Sequence, residues 1–442
     1  MSFRERFSFK DSAELLAKAA SLGVVLPFSE NIEFLFQPLS ISGKKIANRI
    51  AVQPMEGADA ELDGGPGELT IRRYRRFAGG GSGLIWFEAV AIREDGKSHP
   101  RQLFLNQKTL GAFSRLVEET RSAARKSLGE RHAPLLILQL THSGRFSKPD
   151  GRPKPVIAHH NPYLDPLHRL PADYPLVSDR ELDRLQDAFA EAAALAGRAG
   201  FDGIDVKSCH GYLVSELFGA RTRTDSRYGG PFPNRIRFLL ETINKIGALL
   251  PKSLICARVG AFDAIPYPYG FGTAQNQGDS MDLTEPMALV RRLSESKLSL
   301  LNVTAGIPAF LPHLGRPYDV PVRGGARSPE HPLLGVARLI HIAGQFQGHF
   351  PALPVVGGGY SWLRQFFPRV AAGVLEKKQA SLVGLGRLSF AYPGFAEDLR
   401  AKGALDPKKI CLTCSGCSEL LRAGRPAGCV VRDKSVYRRF QG

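Results

Sequence analysis

Three cysteines at C-x2-C-x2-C spacing, Cys411, Cys414 and Cys417, are followed by Cys429 after 11 intervening residues. Three thiolates so spaced can wrap one cubane and a fourth closes the set, which points to a [4Fe–4S] cluster. The pattern matches the start of the bacterial ferredoxin motif and lacks its C-x3-C-P ending. A structural zinc site is the alternative, although such sites more often show two separated C-x2-C pairs. A second group of reactive side chains stands at the ends of apolar runs: Gln139-Leu140-Thr141-His142-Ser143-Gly144-Arg145, and Lys207-Ser208-Cys209-His210-Gly211-Tyr212-Leu213. Two further runs end in glycine, at Gly357-Gly358-Gly359 and at Gly384-Leu385-Gly386-Arg387. Bare backbone N–H groups at such turns can hold a phosphate.

Eight short apolar stretches carry these groups. They are Ile50–Pro54, Leu84–Glu88, Leu135–Leu140, Gly203–Lys207, Leu254–Val259, Leu298–Thr304, Leu353–Val356 and Ser381–Leu385. Near-continuous apolar strands separated by helical stretches predict a parallel sheet covered on both faces. Ser178-x-x-Glu181 is a capping box for a helix whose Leu182, Leu185, Phe189, Ala193 and Ala196 share one face, with Gly200 placed as its αL cap. Asn234–Leu249 and Thr109–Leu128 read as helices too. Eight units suggest an α/β fold of the (β/α)8 TIM barrel kind, although counting alone also allows an open doubly wound sheet. The long stretches Thr141–Val177, Gly260–Asp282 and Ala305–His331 all follow strands, so in a barrel they lie at the active face. Their Tyr163, Tyr174, Tyr267, Tyr269, Phe271, Phe310 and Tyr318 predict packed lids. The glycine turns then follow strands seven and eight, the usual phosphate site of a barrel.

Composition fits this reading. At 43% hydrophobic and 23% charged residues, the 442-residue chain can build a large core and is not a disordered one. The net charge of +17 is scattered, the densest group being Arg72-Arg73-Tyr74-Arg75-Arg76, so nucleic acid is not an expected partner. No apolar run reaches the ~18 residues of a membrane span and the N-terminus does not read as a signal peptide. No membrane association is expected, and the uneven cysteines do not look like a secreted disulfide framework. The expected location is cytoplasmic.

At these residues the chain resembles the Old Yellow Enzyme family of FMN-dependent oxidoreductases. The likeness runs from about Leu35 to Lys402, through LF-x-P-L, Asn48-Arg49, Gly83-Leu84-Ile85, QL-x-HSGR, HGYL, RTD-x-x-YGG and the final GR. The cysteines resemble those of the iron–sulfur branch that holds trimethylamine dehydrogenase and 2,4-dienoyl-CoA reductase. The resemblance implies an N-terminal extension over 1–34, an FMN-binding barrel over 35–405 and a cluster-binding segment over 406–442. It implies that Pro54, Met55 and Ala89 line FMN through their backbones and that Gln139 bonds its pyrimidine edge. Arg258 would sit near N1 and C2=O, where negative charge accumulates on reduction. Gly357, Gly359, Gly386 and Arg387 would hold the phosphate. Lys207 and His210 would anchor a substrate carbonyl, and Tyr212 would protonate its α-carbon as a general acid.

The implied activity is that of an ene-reductase acting on an α,β-unsaturated carbonyl, acid or CoA thioester, with the cluster relaying electrons to the flavin. The alternative is an amine or alcohol dehydrogenase passing electrons out through the cluster, with Tyr267, Tyr269 and Trp362 as candidates for an aromatic cage. Three departures stand out. Lys207 replaces the usual His or Tyr, and its other reading is a pair with Asp205 on the same strand face. Met55-Glu56-Gly57 stands where the family often has Thr or Cys beside the flavin. No G-x-G-x-x-G follows a strand and the sequence stops at Gly442, so an electron-transfer protein is the expected partner, with NAD(P)H the other candidate donor. A homo-oligomer is compatible with all of this. Cys209 and Cys256 read as core.

Overall fold

The computed structural model describes residues 5–130, 132–275, 278 and 280–442. Residues 1–4 of the N-terminal extension and 276, 277 and 279 of the Gly260–Asp282 stretch lie outside them. Eight parallel strands close into a barrel: β1 (Ile50–Val52), β2 (Leu84–Ala91), β3 (Leu135–Thr141), β4 (Gly203–Ser208), β5 (Leu254–Gly260), β6 (Leu298–Thr304), β7 (Val355–Gly357) and β8 (Leu382–Leu385). Closure is made by β8 against β1, with Val383 opposite Ile50 and Leu385 opposite Val52. The eight apolar runs are therefore the eight staves. Burial on both faces is what made them legible, since β2 and β3 have no exposed residue.

Helices α1 (Glu68–Ala78), α2 (Leu110–Leu128), α3 (Asp179–Ala199), α4 (Phe232–Leu249), α5 (Thr284–Ser294), α6 (Pro332–His349), α7 (Phe367–Glu376) and α8 (Phe395–Lys402) form the outer layer. The capping signals act as expected. The Ser178 side chain accepts from Glu181 N, and Gly200 closes α3 at φ 96°.

Both ends of the barrel are covered by chain outside the repeating units. A hairpin of Leu39–Ile41 and Lys44–Ile46 closes the N-terminal end, its Ile41 and Ile46 packing with Trp86, Ile137, Cys256 and Leu300. The N-terminal helix Ser12–Ser21 sets Leu15 and Ala19 in the cluster that holds Trp362, Val370 and Val374. At the other end, the tail beyond α8 folds back over α1. Leu420, Ala427, Val430 and Tyr437 pack with Leu69, Asp433 meets Arg72 and Arg76, and Ala427 N donates to Gly57 O at 2.7 Å. That fold-back brings the cysteine segment beside the loop after β1. Among the described residues no helix is long and apolar enough to cross a membrane.

Candidate active site

β4 delivers Lys207 to the barrel mouth, and the turn after it carries His210 and Tyr212. These three meet a residue that the sequence marked only as a departure. Glu56, in the loop after β1, accepts from Lys207 Nζ at 3.2 Å and from the Tyr212 hydroxyl at 3.2 Å, both on Oε1. Ser98 Oγ donates to its Oε2 at 3.2 Å. Lys207 Nζ also lies 3.5 Å from the centroid of the Tyr212 ring. Burial pushes the Glu56 carboxyl up, but Lys207, His99 and the two hydrogen bonds more than offset it, so its pKa falls below the ordinary value. Tyr212 is held protonated, its pKa raised by burial and by the Glu56 charge. His210 is neutral, because burial, Arg258 and Lys207 all depress its pKa. Its Nε2 lies 3.5 Å from Thr304 Oγ1. His210 adopts φ 67°, a left-handed conformation that costs a non-glycine residue about 1 kcal/mol or more and often marks a functional turn.

Lys207 does not pair with Asp205. Asp205 is fully used below it, accepting from Trp86 Nε1 (2.8 Å), Gln139 Nε2 (2.6 Å) and Arg258 N (2.7 Å). Burial still raises its pKa to about 6. Gln139 is thus fixed through its amide nitrogen. The Arg258 Nε is buried and has no hydrogen-bond partner among the described residues.

The glycine turns lie together at the ends of adjacent strands β7 and β8. Gln53 crosses the barrel beneath them, paired with Asn302 at 2.8 Å and pointing Nε2 at Gly357 O. A Cβ on Gly384 would lie 2.1 Å from that Nε2, and one on Gly386 2.9 Å from Met55 Sδ. At Gly358 the space is open, with only Gln53 Nε2 within reach at 3.8 Å. Gly359 holds φ 93°. Arg387, buried, donates from Nη2 to Pro317 O at 2.6 Å and leaves Nη1 without a partner among the described residues. Pro54 and Ala89 are buried, and Ala89 O accepts from Gln102 Nε2 at 2.9 Å. The open space at Gly358 and the N–H of Arg387 that is unpartnered among the described residues suit an anionic, hydrogen-bonding ligand.

Cys411, Cys414, Cys417 and Cys429 line one cavity, together with Arg387 and Phe390. None is in a disulfide. Thr413 N points at Cys411 Sγ (3.4 Å) and Arg432 N at Cys429 Sγ (3.2 Å), the kind of N–H···S contact that tunes iron–sulfur centres. Thr413 and Ser415 both take positive φ, 51° and 60°, which bends the chain around the cavity. Among the described residues no three His, Cys, Asp or Glu converge tightly enough to hold a single ion. The other two cysteines are core, Cys256 at the closed end of the barrel and Cys209 beside the site with its pKa pushed up to about 11 by burial.

The loop aromatics form the expected lid only in part. Tyr163 packs edge-on against Tyr269 and Phe310, over Leu164, Ile265 and Ile307. Trp362 is elsewhere: it is fully buried, stacks edgewise on Phe7 and donates to Asp319. Tyr267 carries the Arg221 guanidinium at 5.0 Å. Tyr267, Tyr269 and Trp362 therefore make no common cage. Sequence reasoning marked Glu56 without giving it a role and passed over Ser98 and His99. The last has both ring nitrogens buried and unpartnered among the described residues.

The sequence model of the family described as NADH:flavin oxidoreductase / NADH oxidase matches residues 34–286. An NADH oxidase of Thermoanaerobacter brockii is 27% identical over 394 residues, covering 87% of this chain and 53% of the relative. Among solved structures, a 2-naphthoyl-CoA reductase complex superposes with a TM-score of 0.70 at 18% identity, over 93% of this chain and 58% of that one. A histamine dehydrogenase from Rhizobium sp. 4-9 gives 0.69 at 18% identity, over 92% and 53%. The chain thus spans about half the length of these relatives, and the likeness to the two structures is one of fold.

Proposed function

This chain belongs to the NADH:flavin oxidoreductase / NADH oxidase family, and on that premise we propose that it is an FMN-dependent ene-reductase in which a [4Fe–4S] cluster feeds electrons to the flavin. The observation that carries the reading is the convergence of Lys207, His210 and a protonated Tyr212 at the barrel mouth, with Glu56 joining Lys207 to Tyr212. The open space at Gly358 and the N–H groups of Arg258 and Arg387 that are unpartnered among the described residues fit FMN. Gly357, Gly359, Gly386 and Arg387 would hold its phosphate, while Pro54, Met55, Ala89, Gln139 and Arg258 would line its ring. Bound there, FMN supplies the hydride equivalent that a conjugated double bond accepts.

The chain's own residues do the rest. Neutral His210 donates an N–H to the substrate carbonyl oxygen, and the Lys207 ammonium places positive charge where an enolate oxygen develops. The Tyr212 hydroxyl then gives its proton to the α-carbon as general acid. Glu56 holds that hydroxyl in place beforehand. The Tyr163, Tyr269 and Phe310 lid excludes water from the pair. The substrate is an α,β-unsaturated carbonyl, acid or CoA thioester, and the electron donor is an electron-transfer protein or NAD(P)H.

The four cysteines around one cavity, with N–H···S contacts and two left-handed residues, support the cluster. The same features support treating 406–442 as its binding segment and 35–405 as the flavin barrel, with 1–34 as an extension. One observation favours the amine or alcohol dehydrogenase reading: Glu56 is an ionised carboxylate that could receive a substrate cation. Lys207 already occupies that carboxylate and the three aromatic residues do not form a cage, so the reductase is the better reading. Anaerobic purification followed by iron, sulfide and FMN analysis tests the cofactors. About four iron and four sulfide per chain with one flavin supports the proposal. Zinc without sulfide removes the cluster and leaves NAD(P)H as the direct donor.

A further inference from the structure

Buried Arg387 and half-buried Arg316 stand at the cysteine segment, and among the described residues no carboxylate pairs with either. Arg387 lines the cavity itself and leaves Nη1 unpartnered among the described residues. Arg316, in the loop after β6, is a charged neighbour of Arg387 and Cys417. It donates from Nη1 to the Ser418 hydroxyl, one residue beyond Cys417, and its Nε is buried and unpartnered among the described residues. Among the described residues the guanidinium hydrogen bonds go to the Ser418 hydroxyl from Arg316 and to Pro317 O from Arg387, and neither arginine makes an ion pair. The charged and titratable groups that act on Arg316 are Arg387, Cys417, Arg422 and Tyr318, and burial with Arg387 lowers its pKa to about 10. Like charges buried side by side cost several kcal/mol unless an anion compensates them.

The phosphate cradle accounts for Arg387 alone. Arg316 bonds instead to Ser418 of the cysteine segment. We propose that Arg316 is an electrostatic tuning residue for the cluster, its guanidinium compensating the net negative charge that four thiolates give the cluster and so holding the midpoint potential up. The inference rests on the cluster reading above. Its physics is general: a fixed buried cation stabilises whichever state of a neighbour is more negative, and adding one electron makes the cluster more negative. Arg387 contributes in the same sense while also facing the phosphate cradle, which makes Arg316 the cleaner probe.

The test is an EPR-monitored redox titration of the holoprotein, comparing wild type with Arg316→Gln and Arg316→Lys, each with iron and sulfide counted first. Arg316→Gln is expected to keep its iron and to be at least tenfold less reduced at a given ambient potential, a downward shift of about 59 mV for one electron. Arg316→Lys, which keeps the charge, should recover most of that shift. Equal potentials in Arg316→Gln and wild type overturn the inference. Should Arg316→Gln fail to retain iron, Arg316→Met, which keeps the bulk and loses the charge, takes its place. A potential below that of wild type supports the assignment, and an unchanged one overturns it. Wild-type protein without iron and sulfide would sink the cluster reading itself, an outcome distinct from an unshifted potential.

Discussion

Replacing Glu56 by Gln keeps the shape of the side chain and removes the charge that Lys207 faces. The two side chains are only 12% and 5% exposed and stand 3.2 Å apart. At that separation an effective dielectric near 20 gives an attraction of roughly 5 kcal/mol. Breaking a buried pair by removing one partner costs about 3–5 kcal/mol. A chain of 442 residues has an unfolding entropy of roughly 0.9 kcal/mol/K, from about 2.1 cal/mol/K per residue. The loss therefore reads as a fall of about 3–5 °C in Tm for Glu56→Gln, and of similar size for Lys207→Met. The double variant leaves no buried charge unpaired and should recover at least half of the summed fall. Scanning calorimetry of the four proteins at one pH and saturating FMN makes the comparison. Strictly additive falls would refute the coupling on which the site description depends.

Tyr212→Phe is expected to leave flavin reduction by the donor unchanged and to slow substrate turnover by about 10²-fold or more, as loss of a general acid does; rapid-mixing measurements of the two half-reactions separate them. Gly359→Ala puts a Cβ 2.7 Å from Leu339 Cδ1 at a backbone φ of 93°, so it should lower stability by about 1–3 kcal/mol and weaken FMN retention, read by thermal melts and flavin content after gel filtration. His159 is neutral in the fold, its pKa lowered to about 3 by burial and then by Arg145. The unfolded state therefore binds its proton first as pH falls below about 6.5, so stability drops on acidification from about 6.5 towards 3. His159→Asn should flatten the fall of Tm across that window, and an unchanged slope would show that other groups set it.

The barrel was legible because its strands are buried on both faces. All eight runs became strands, and the shifts are at the ends, as where Leu84–Glu88 extends to Ala91 and Leu353–Val356 moves to Val355–Gly357. Local capping was equally readable, since Ser178 and Glu181 are neighbours on one turn. The Glu56–Lys207 pair was not. Both residues stood out as departures, but 151 positions separate them, and nothing local says that the loop after β1 and the end of β4 meet at the mouth. Read together they are one change, a buried cation and its counter-charge. Trp362 misled for a related reason. An indole after strand seven looks the same in sequence whether it faces a ligand or a neighbouring element, and here Phe7 and Phe9 pack against it. The hairpin that closes the barrel also gave no signal, its strands being three residues each.

The most direct test of the account is to reduce the FMN-loaded protein anaerobically, mix it with 2-cyclohexenone or crotonyl-CoA, and follow the visible flavin absorbance while analysing the product. The account predicts that the oxidised flavin spectrum returns, that the saturated carbonyl appears in equal amount, and that Tyr212→Phe slows both. A flavin that stays reduced with both conjugated carbonyls, in a protein whose oxidised form is instead bleached by a methylated amine, would contradict it.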